Sequence, residues 1–319
     1  MNPLTGIYGA AIALRNELFD HGVLSTRRLD RPVVSVGNLS VGGAGKTPFV
    51  IALGELLKAR GIRFDVLSRG YGRATRGVLV VDPNGSTRDF GDEPLLIARR
   101  LGVPVVVGES RYQAGRVAEQ KFDPQLHILD DGFQHRSLAR DFDIVLLADR
   151  DLADRLLPSG RLREPLLSLK RADAIVLSAP TPAENVGGGG AITEDAALRG
   201  KPLWRMKREI AVPAVSGSPV VFCGIACPEQ FFAHVRAAGI APAVEVAFPD
   251  HHAYRRKDVG QLLAKRARLG AGGFLTTEKD AVNLGGLAAE IKPLAIAKLT
   301  VVLENPAAMV DTILSRILS

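Results

Sequence analysis

The sequence predicts an α/β protein with a mostly parallel sheet and a second, smaller α/β unit. Three observations carry that expectation. Short apolar segments alternate with helical patterns over the first 178 residues. A β-branched run, a glycine-rich turn and an amphipathic segment follow one another at 33–60. After a proline- and glycine-rich break at 180–190, a new strand–helix cycle opens near residue 219.

The elements follow in order. Residues 4–18 are apolar until Arg15 and Glu17, and Arg27, Arg28 and Arg31 come next. This segment is either a helix lying on a membrane or a helix packed on the domain. Residues 33–36 form the first strand. Residues 48–60 form a helix with Phe49, Leu53, Leu56 and Leu57 near one face. Strands are expected at 64–67, 78–81, 103–107, 126–129, 144–147 and 174–177, with helices at 93–100 and 111–120. The segment 204–215 is extended, and the boundary between units falls within 203–217. Beyond it come a strand at 219–222, helices at 229–238 and 258–265, and an extended stretch at 273–276. The expected division is a membrane-associating segment at 1–30, a main domain at 31–205 and a smaller domain at 206–319, whose last helix packs back on the first.

Composition bounds the function. The 319 residues carry 41 Lys+Arg against 34 Asp+Glu, a net charge of +7, and the mean hydropathy is +0.11. That supports a sizeable core and argues against a disordered chain. The charge suits an acidic ligand or anionic surface but is too diffuse to mark a nucleic-acid binder. Cys223 and Cys227 make neither a disulfide framework nor, alone, a four-ligand zinc site. No segment has the apolar length of a spanning helix.

The strongest motif is Ser40-Val41-Gly42-Gly43-Ala44-Gly45-Lys46-Thr47, between the 33–36 strand and the 48–60 helix. It departs from a P-loop only in having Ser40 where glycine is usual. The glycines let backbone N–H groups face phosphate oxygens, and the helix N-terminus adds its positive end. Lys46 can reach the β- and γ-phosphates, and the Thr47 hydroxyl can ligate magnesium. At 126–131 an apolar strand delivers Asp130-Asp131, a Walker B arrangement in which one acid serves magnesium. Thr277-Glu278-Lys279-Asp280 imitates a guanine-reading motif, but Glu278 stands where Asn or Thr belongs, which favours ATP over GTP.

The acceptor side is less constrained. Asp92, in Asp89-Phe90-Gly91-Asp92-Glu93, is either a helix cap or the carboxylate that orients a hydroxyl and accepts its proton. Asp250-His251-His252 is either a surface turn or an imidazole site that supports a carboxylate or binds phosphate. Arginines recur at 69, 73, 76, 111, 116, 161 and 163, and would form an anion-lined cleft if the fold gathers them. A P-loop alone also fits a motor ATPase driven by a protein partner, or a nucleotide-dependent module that binds nucleic acid.

The ordered set of motifs resembles the tetraacyldisaccharide 4'-kinase family. It comprises Ser35-Val36-Gly37-Asn38-Leu39-Ser40 leading into the P-loop, Ser68-Arg69-Gly70-Tyr71-Gly72-Arg73, Gly91-Asp92-Glu93-Pro94 and Asp130-Asp131-Gly132-Phe133-Gln134-His135. Leu157-Pro158-Ser159-Gly160-Arg161-Leu162-Arg163-Glu164-Pro165, Asp250-His251-His252 and Thr277-Glu278-Lys279-Asp280 complete it. That family generally has a hydroxyl residue at the position of Ser40. The resemblance implies a P-loop NTPase-like three-layer α/β/α domain, a smaller α/β domain and a cleft between them. It implies ATP-dependent phosphorylation of the 4'-hydroxyl of an acylated glucosamine disaccharide 1-phosphate, giving lipid IVA, at the cytoplasmic face of the bacterial inner membrane. The partners expected are that lipid and an anionic membrane surface, with no nucleic acid and no required protein partner. The cofactors implied are ATP and Mg2+.

The resemblance also assigns roles. Asp92 is the base, Lys46 the phosphoryl stabiliser and His251 the partner of Asp92. Ser40, Val41, Gly42, Gly43, Ala44, Gly45, Lys46, Thr47, Gln134 and His135 hold the nucleotide. Thr47, Asp130, Asp131 and Glu93 hold the metal. Asn38, Arg73, Arg161 and Arg163 serve the lipid head group.

Overall fold

The computed structural model describes residues 3–178 and 200–318. The proline- and glycine-rich break expected at 180–190 lies outside the described residues. The chain opens with helix α1 (Pro3–Asp20). Then come β1 (Val33–Asn38), α2 (Lys46–Ala59), β2 (Phe64–Ser68), β3 (Leu79–Val80), α3 (Thr87–Phe90) and α4 (Asp92–Leu101). β4 (Val105–Val107), α5 (Arg111–Phe122), β5 (Leu126–Asp130), β6 (Phe142–Ala148), α6 (Asp149–Leu152) and β7 (Ala174–Ser178) follow. The second part holds β8 (Leu203–Ala211), β9 (Val220–Cys223), α7 (Pro228–Ala237), β10 (Val244–Ala247) and α8 (Arg256–Leu269). It ends with β11 (Phe274–Thr277), α9 (Glu278–Leu284), β12 (Leu294–Leu303) and α10 (Pro306–Ile317).

The twelve strands of the described residues join one sheet, in the order β10-β9-β11-β12-β8-β7-β6-β1-β5-β2-β4-β3. The centre is parallel, with β1 between β5 and β6. Central strands β1, β2, β5 and β7 are buried on both faces, as parallel strands covered by helices must be. One face packs Val34, Val36, Ile128 and Ile144 against Phe49 and Leu53 of α2 and Leu95 of α4. Each such side chain, fully buried, contributes about 1.5–3 kcal/mol. The other face packs Leu67 and Leu129 against Ala114 and Ala118 of α5, and Val145 and Ile175 against Leu39, Phe133 and Leu169.

Two strands join the halves. β8 pairs in parallel with β7 from Leu203 to Met206, then antiparallel with β12 from Met206 to Ala211. β12 pairs in parallel with β11 from Leu294 to Ala297 before meeting β8. The expected boundary at 205/206 therefore falls within a continuous strand. The sheet runs unbroken because each of these long strands gives one half of its length to each unit. α10 returns to the first unit and buries Met309, Val310 and Ile313 in the α2 core.

Strands β10 and β12 were not individually anticipated. β12 is half-exposed along much of its length, so it carries neither a continuous apolar run nor a clean alternation. The extended segment after residue 204 ends at Ala211, before Pro213, which cannot donate to a ladder.

Candidate active site

The C-terminal ends of β1 and β5 lie side by side, with Val36 opposite Asp130. In parallel α/β sheets the crevice beyond such ends is the usual ligand site. Here it is a cleft of about 1070 Å³, closed on the far side by residues of the second unit such as His251, Lys279, Phe231 and Leu299.

The P-loop leaves β1 and enters α2. Gly42 and Gly45 have φ of 88° and 80°, left-handed values that favour glycine. The Gly45 turn starts α2 at Lys46, so Pro48 sits in the first turn, where a missing N–H breaks no helical bond. The loop is anchored from outside. Val41 N–H donates to the Arg161 carbonyl at 2.8 Å, and Arg163 N–H donates to the Leu39 carbonyl at 2.6 Å. Gly42, Gly43, Ala44, Gly45, Lys46 and Thr47 all line the cleft, as does Val41, whereas Ser40 is buried behind it.

Lys46 is held in place. Its Nζ donates to Asn38 Oδ1 at 2.9 Å and lies 3.2 Å from Asp131 Oδ1. The buried Asn38 also donates through Nδ2 to the Ser40 carbonyl and accepts from Arg163 Nη2. Asn38 thus orients Lys46 and does not itself line the cleft.

Asp130 ends β5 and is 2% exposed; Ser68 donates to its Oδ2 at 3.1 Å. No described residue donates to its Oδ1. Burial, then the charges of Glu93 and Asp131, push its carboxyl up to about 7 against the pull of Lys46. Asp131 takes a left-handed φ of 52° and turns toward Lys46 and Arg163. Burial would raise it, but those two cations hold it below the ordinary carboxylate range.

The acceptor-side cluster lines the same cleft. Gly91 (φ 88°) turns the chain into α4, and Asp92 is its first residue, 5% exposed. Asp92 makes two sets of contacts. Its Oδ1 accepts from the Glu93 N–H at 2.9 Å, as a helix-opening acid does. Its Oδ2 lies 2.8 Å from His251 Nδ1 and accepts from Asn283 Nδ2 at 3.3 Å. Burial alone would raise the Asp92 carboxyl. The His251 hydrogen bond and the Lys279 charge outweigh it, so the group lies below its ordinary range. His251, in turn, is raised by its bond to Asp92. His252 faces away, with Nε2 on Asp258 and its ring stacked on Phe248. Of the two histidines, geometry selects His251.

The remaining predicted residues divide. Glu93, Gln134, His135 and Arg163 line the cleft. Burial and the charges of Arg111, Arg140, Arg15 and Arg69 lower His135 to about 4, so its imidazole is neutral near pH 7. Arg73 and Arg161 do not line the cleft. The Arg73 guanidinium is bound to Glu109 and the Gly77 carbonyl, and Arg161 to Asp154, because each has a nearer acceptor than any cleft ligand. Arg161 still serves the site through its backbone bond to Val41.

Other cleft residues carried no individual prediction. Arg15, Arg69 and Arg111 line it, and Arg111 is 6% exposed. Burial, then the neighbouring Arg69 charge, lowers Arg111 to about 10. Tyr71 is exposed with its ring centroid 5.6 Å from that of His251. Lys279 and Asn283 come from α9, and only the fold brings them to Asp92. The two cysteines are a buried and a half-buried thiol, and among the described residues no three His, Cys, Asp or Glu side chains form a metal cluster.

A P-loop and a carboxylate–imidazole pair that line one interdomain cleft define a small-molecule phosphotransferase. Comparison with known proteins gives the family. The model of the family "Tetraacyldisaccharide-1-P 4'-kinase" matches residues 1–318. A tetraacyldisaccharide 4'-kinase of Koribacter versatilis is 45% identical over 329 aligned residues, covering 98% of this chain and 98% of that protein. One from Geobacter metallireducens is 40% identical, covering 94% of this chain and 92% of that protein. The crystal structure of an "apo" form of LpxK from Aquifex aeolicus in complex with ATP superposes with a TM-score of 0.79 at 37% identity, over 99% of this chain and 98% of that one. The chain belongs to the tetraacyldisaccharide-1-P 4'-kinase family. It is an enzyme that uses ATP to phosphorylate the 4'-hydroxyl of tetraacyldisaccharide 1-phosphate, giving lipid IVA in lipid A biosynthesis.

Proposed function

We propose that Asp92 accepts the proton of the 4'-hydroxyl while Lys46 and the P-loop amides hold the transferring phosphoryl group. The observation that carries this reading is the Asp92–His251 pair, 2.8 Å apart, lining the same cleft as the P-loop. The hydroxyl oxygen attacks the γ-phosphorus as its proton passes to Asp92. The bond from phosphorus to the β,γ-bridging oxygen breaks, and its electron pair leaves on ADP. Charge developing on the phosphoryl oxygens is met by Lys46 and by the N-terminus of α2. Gln134 and His135 are read as nucleotide-side residues.

The acids fit a magnesium ion. Asp130 presents a buried oxygen that no described residue satisfies, and Thr47 lies nearby in the same cleft wall. Magnesium commonly takes one or two carboxylates and completes its shell with phosphate oxygens and water, so a dense protein cluster is not needed. Thr47 and Asp130 would hold it, with Asp131 and Glu93 beside them. When bound, the ion withdraws charge from the phosphate oxygens.

The lipid side is read from α1. This helix has no buried residues, and Leu4, Ile7 and Leu14 are exposed on it. The same helix gives Tyr8, Ile12 and Arg15 to the cleft, so an acyl chain could run from membrane to site. No helix among the described residues is long and apolar enough to cross a membrane. A peripheral or monotopic position on the cytoplasmic face, where ATP is available, agrees with these features. Arg163, with Arg15, Arg69 and Arg111, is placed to meet the anionic head group.

The test is incubation of the protein with ATP and purified 1-phosphorylated tetraacyl disaccharide in detergent. Mass spectrometry should find one added phosphate on the distal sugar, and none with Lys46→Ala. Absence of that product while the protein binds ATP would reject the reading.

A further inference from the structure

Helix α1 is built the reverse way round from a helix packed on a domain. A packed helix turns its apolar stripe inward and its polar side chains to solvent. In α1 the apolar Ile7 and Leu14 are 66% and 62% exposed. The side chains that bond to the protein are Thr5, Tyr8, Arg15 and Asn16, which share one helix face at three- and four-residue spacings. The helix has no buried residue, so hydrogen bonds rather than a core hold it.

Those bonds land on two loops. On the loop that follows β5, Arg15 Nη2 donates to the Gln134 carbonyl at 2.7 Å, and Arg136 Nη1 donates to the Asn16 carbonyl at 3.0 Å. On the 159–164 loop, Thr5 Oγ1 lies 2.6 Å from Ser159 Oγ, and the Tyr8 hydroxyl donates to the Arg163 carbonyl at 2.9 Å. Asn16 Nδ2 donates to Glu164 Oε2 at 3.1 Å. Glu164 is fully buried, and the same oxygen accepts from Arg171 Nη2 at 2.8 Å.

Both loops continue to the phosphate loop. The backbone of 159–164 is bonded to it at Val41 and Leu39. The Arg163 guanidinium donates to Asp131 Oδ2 at 2.9 Å and to Asn38 Oδ1 at 3.2 Å. Lys46 Nζ uses the same two side chains, at 2.9 Å from Asn38 Oδ1 and 3.2 Å from Asp131 Oδ1. Gln134 closes the network: its Nε2 donates to the Asn38 carbonyl at 3.0 Å, and its Oε1 accepts from Arg163 Nη1 at 3.3 Å. Arg163 therefore takes a share of the charge and lone pairs that Lys46 would otherwise have to itself. If Arg163 drew away, Asp131 and Asn38 would bind the ammonium more tightly and hold it back from phosphate.

Resting on the proposed roles of Lys46 and α1, we propose that Tyr8 and Asn16 are positioning residues. Through the Arg163 carbonyl and Glu164 they seat the 159–164 loop so that Arg163 occupies Asp131 and Asn38 and leaves Lys46 available to the phosphates. The helix whose outer stripe is read as the lipid contact thus sets the phosphate-binding lysine from its inner face.

The experiment uses the full chain and three measurements: kinetics on the lipid in detergent, titration with a non-hydrolysable β,γ-methylene ATP analogue without lipid, and sedimentation with phosphatidylglycerol vesicles. Tyr8→Phe removes one hydroxyl and keeps the ring. It should lower kcat and weaken analogue binding, each about threefold to tenfold, with KM for lipid, sedimentation and the thermal midpoint at wild-type values. Asn16→Asp sets a second carboxylate against Glu164 and should be impaired roughly tenfold or more in the same two quantities. Adding Glu164→Gln restores a donor–acceptor pair with its direction reversed, so most of both losses should return. Wild-type kcat and analogue affinity in Tyr8→Phe would overturn the proposal. A raised KM for lipid with unchanged analogue affinity would overturn it too, making Tyr8 a lipid contact. A loss that tracks vesicle sedimentation would reduce α1 to an anchor and would also overturn it. If the double variant does not fold, Tyr8→Phe alone decides. The analogue titration needs no turnover, so failure of the wild type to phosphorylate lipid would count instead against the proposed function.

Discussion

At the scale of single residues, the site works by pairing each reactive group with a neighbour that sets its state. Asp92 is buried, which would normally protonate a carboxyl, but a hydrogen bond and a nearby ammonium reverse the shift. A base is active when deprotonated, so a lowered value moves the acid limb of kcat/KM down in pH. That limb, where it reports Asp92, should fall below the ordinary carboxylate value of about 4. Asn283→Ala removes one donor and should move the limb upward. Asp92→Ala should reduce kcat by about a hundredfold to ten-thousandfold with ATP affinity preserved, measured by steady-state kinetics and nucleotide titration. Near-normal turnover would remove Asp92 from its role. Gly42, Gly45, Lys46 and Asp130 were legible as cleft residues because they lie in two short local patterns. Asn38 and Arg161 were legible as residues of interest but not as supports, since that depends on which acceptor each side chain reaches.

At the scale of elements, the start of α4 decides where Asp92 points. Gly91 has φ 88° and ψ 156°, and a Cβ there would lie 2.9 Å from the Tyr71 carbonyl. Gly91→Ala should therefore cost about 1–3 kcal/mol in backbone strain, read from the urea midpoint. It should lower kcat more than it changes the KM for ATP, because the P-loop is built on another strand. An unchanged kcat would show that the turn does not aim the base. The strand–loop–helix unit at β1 and α2 could be read from sequence because its signals are local: a β-branched run, glycines, then an amphipathic stretch. β12 could not, because it is half-exposed along much of its length and shows no clean alternation. The return of the last helix to the first domain was expected, but which side chains Met309, Val310 and Ile313 of α10 meet there is set by contacts with residues far away in sequence.

At the scale of the whole molecule, one sheet carries two units with the cleft between them. The proposed lipid contact is α1, which bonds to the first unit through Tyr8, Arg15 and Asn16 while Ile7 and Leu14 remain exposed. Ile7→Glu together with Leu14→Glu should reduce binding to anionic phospholipid vesicles roughly a hundredfold or more, given about 1.5–3 kcal/mol for each apolar side chain withdrawn. Vesicle sedimentation measures the loss, and the thermal midpoint should not move because neither residue is in the core. Unchanged sedimentation would show that α1 is not the membrane contact. The basic residues are not a generic anionic face. Arg28, Arg31 and Arg116 pair with acids on the outside, whereas Arg15, Arg69, Arg111 and Arg163 line the cleft.

By itself the sequence determined the phosphate loop, the acids that follow β5, the mostly parallel sheet and the family resemblance, all of which rest on neighbours within a few residues or on ordered short motifs. Tertiary structure alone decided that His251 reaches Asp92 from 159 residues away, and that Lys279 stands behind it. It also decided which arginines face the cleft and that the two units share a sheet. The physical reason is the same in each case. Local pattern fixes backbone conformation, whereas hydrogen-bond and charge partners are chosen by distance in space, and only the packed chain sets those distances.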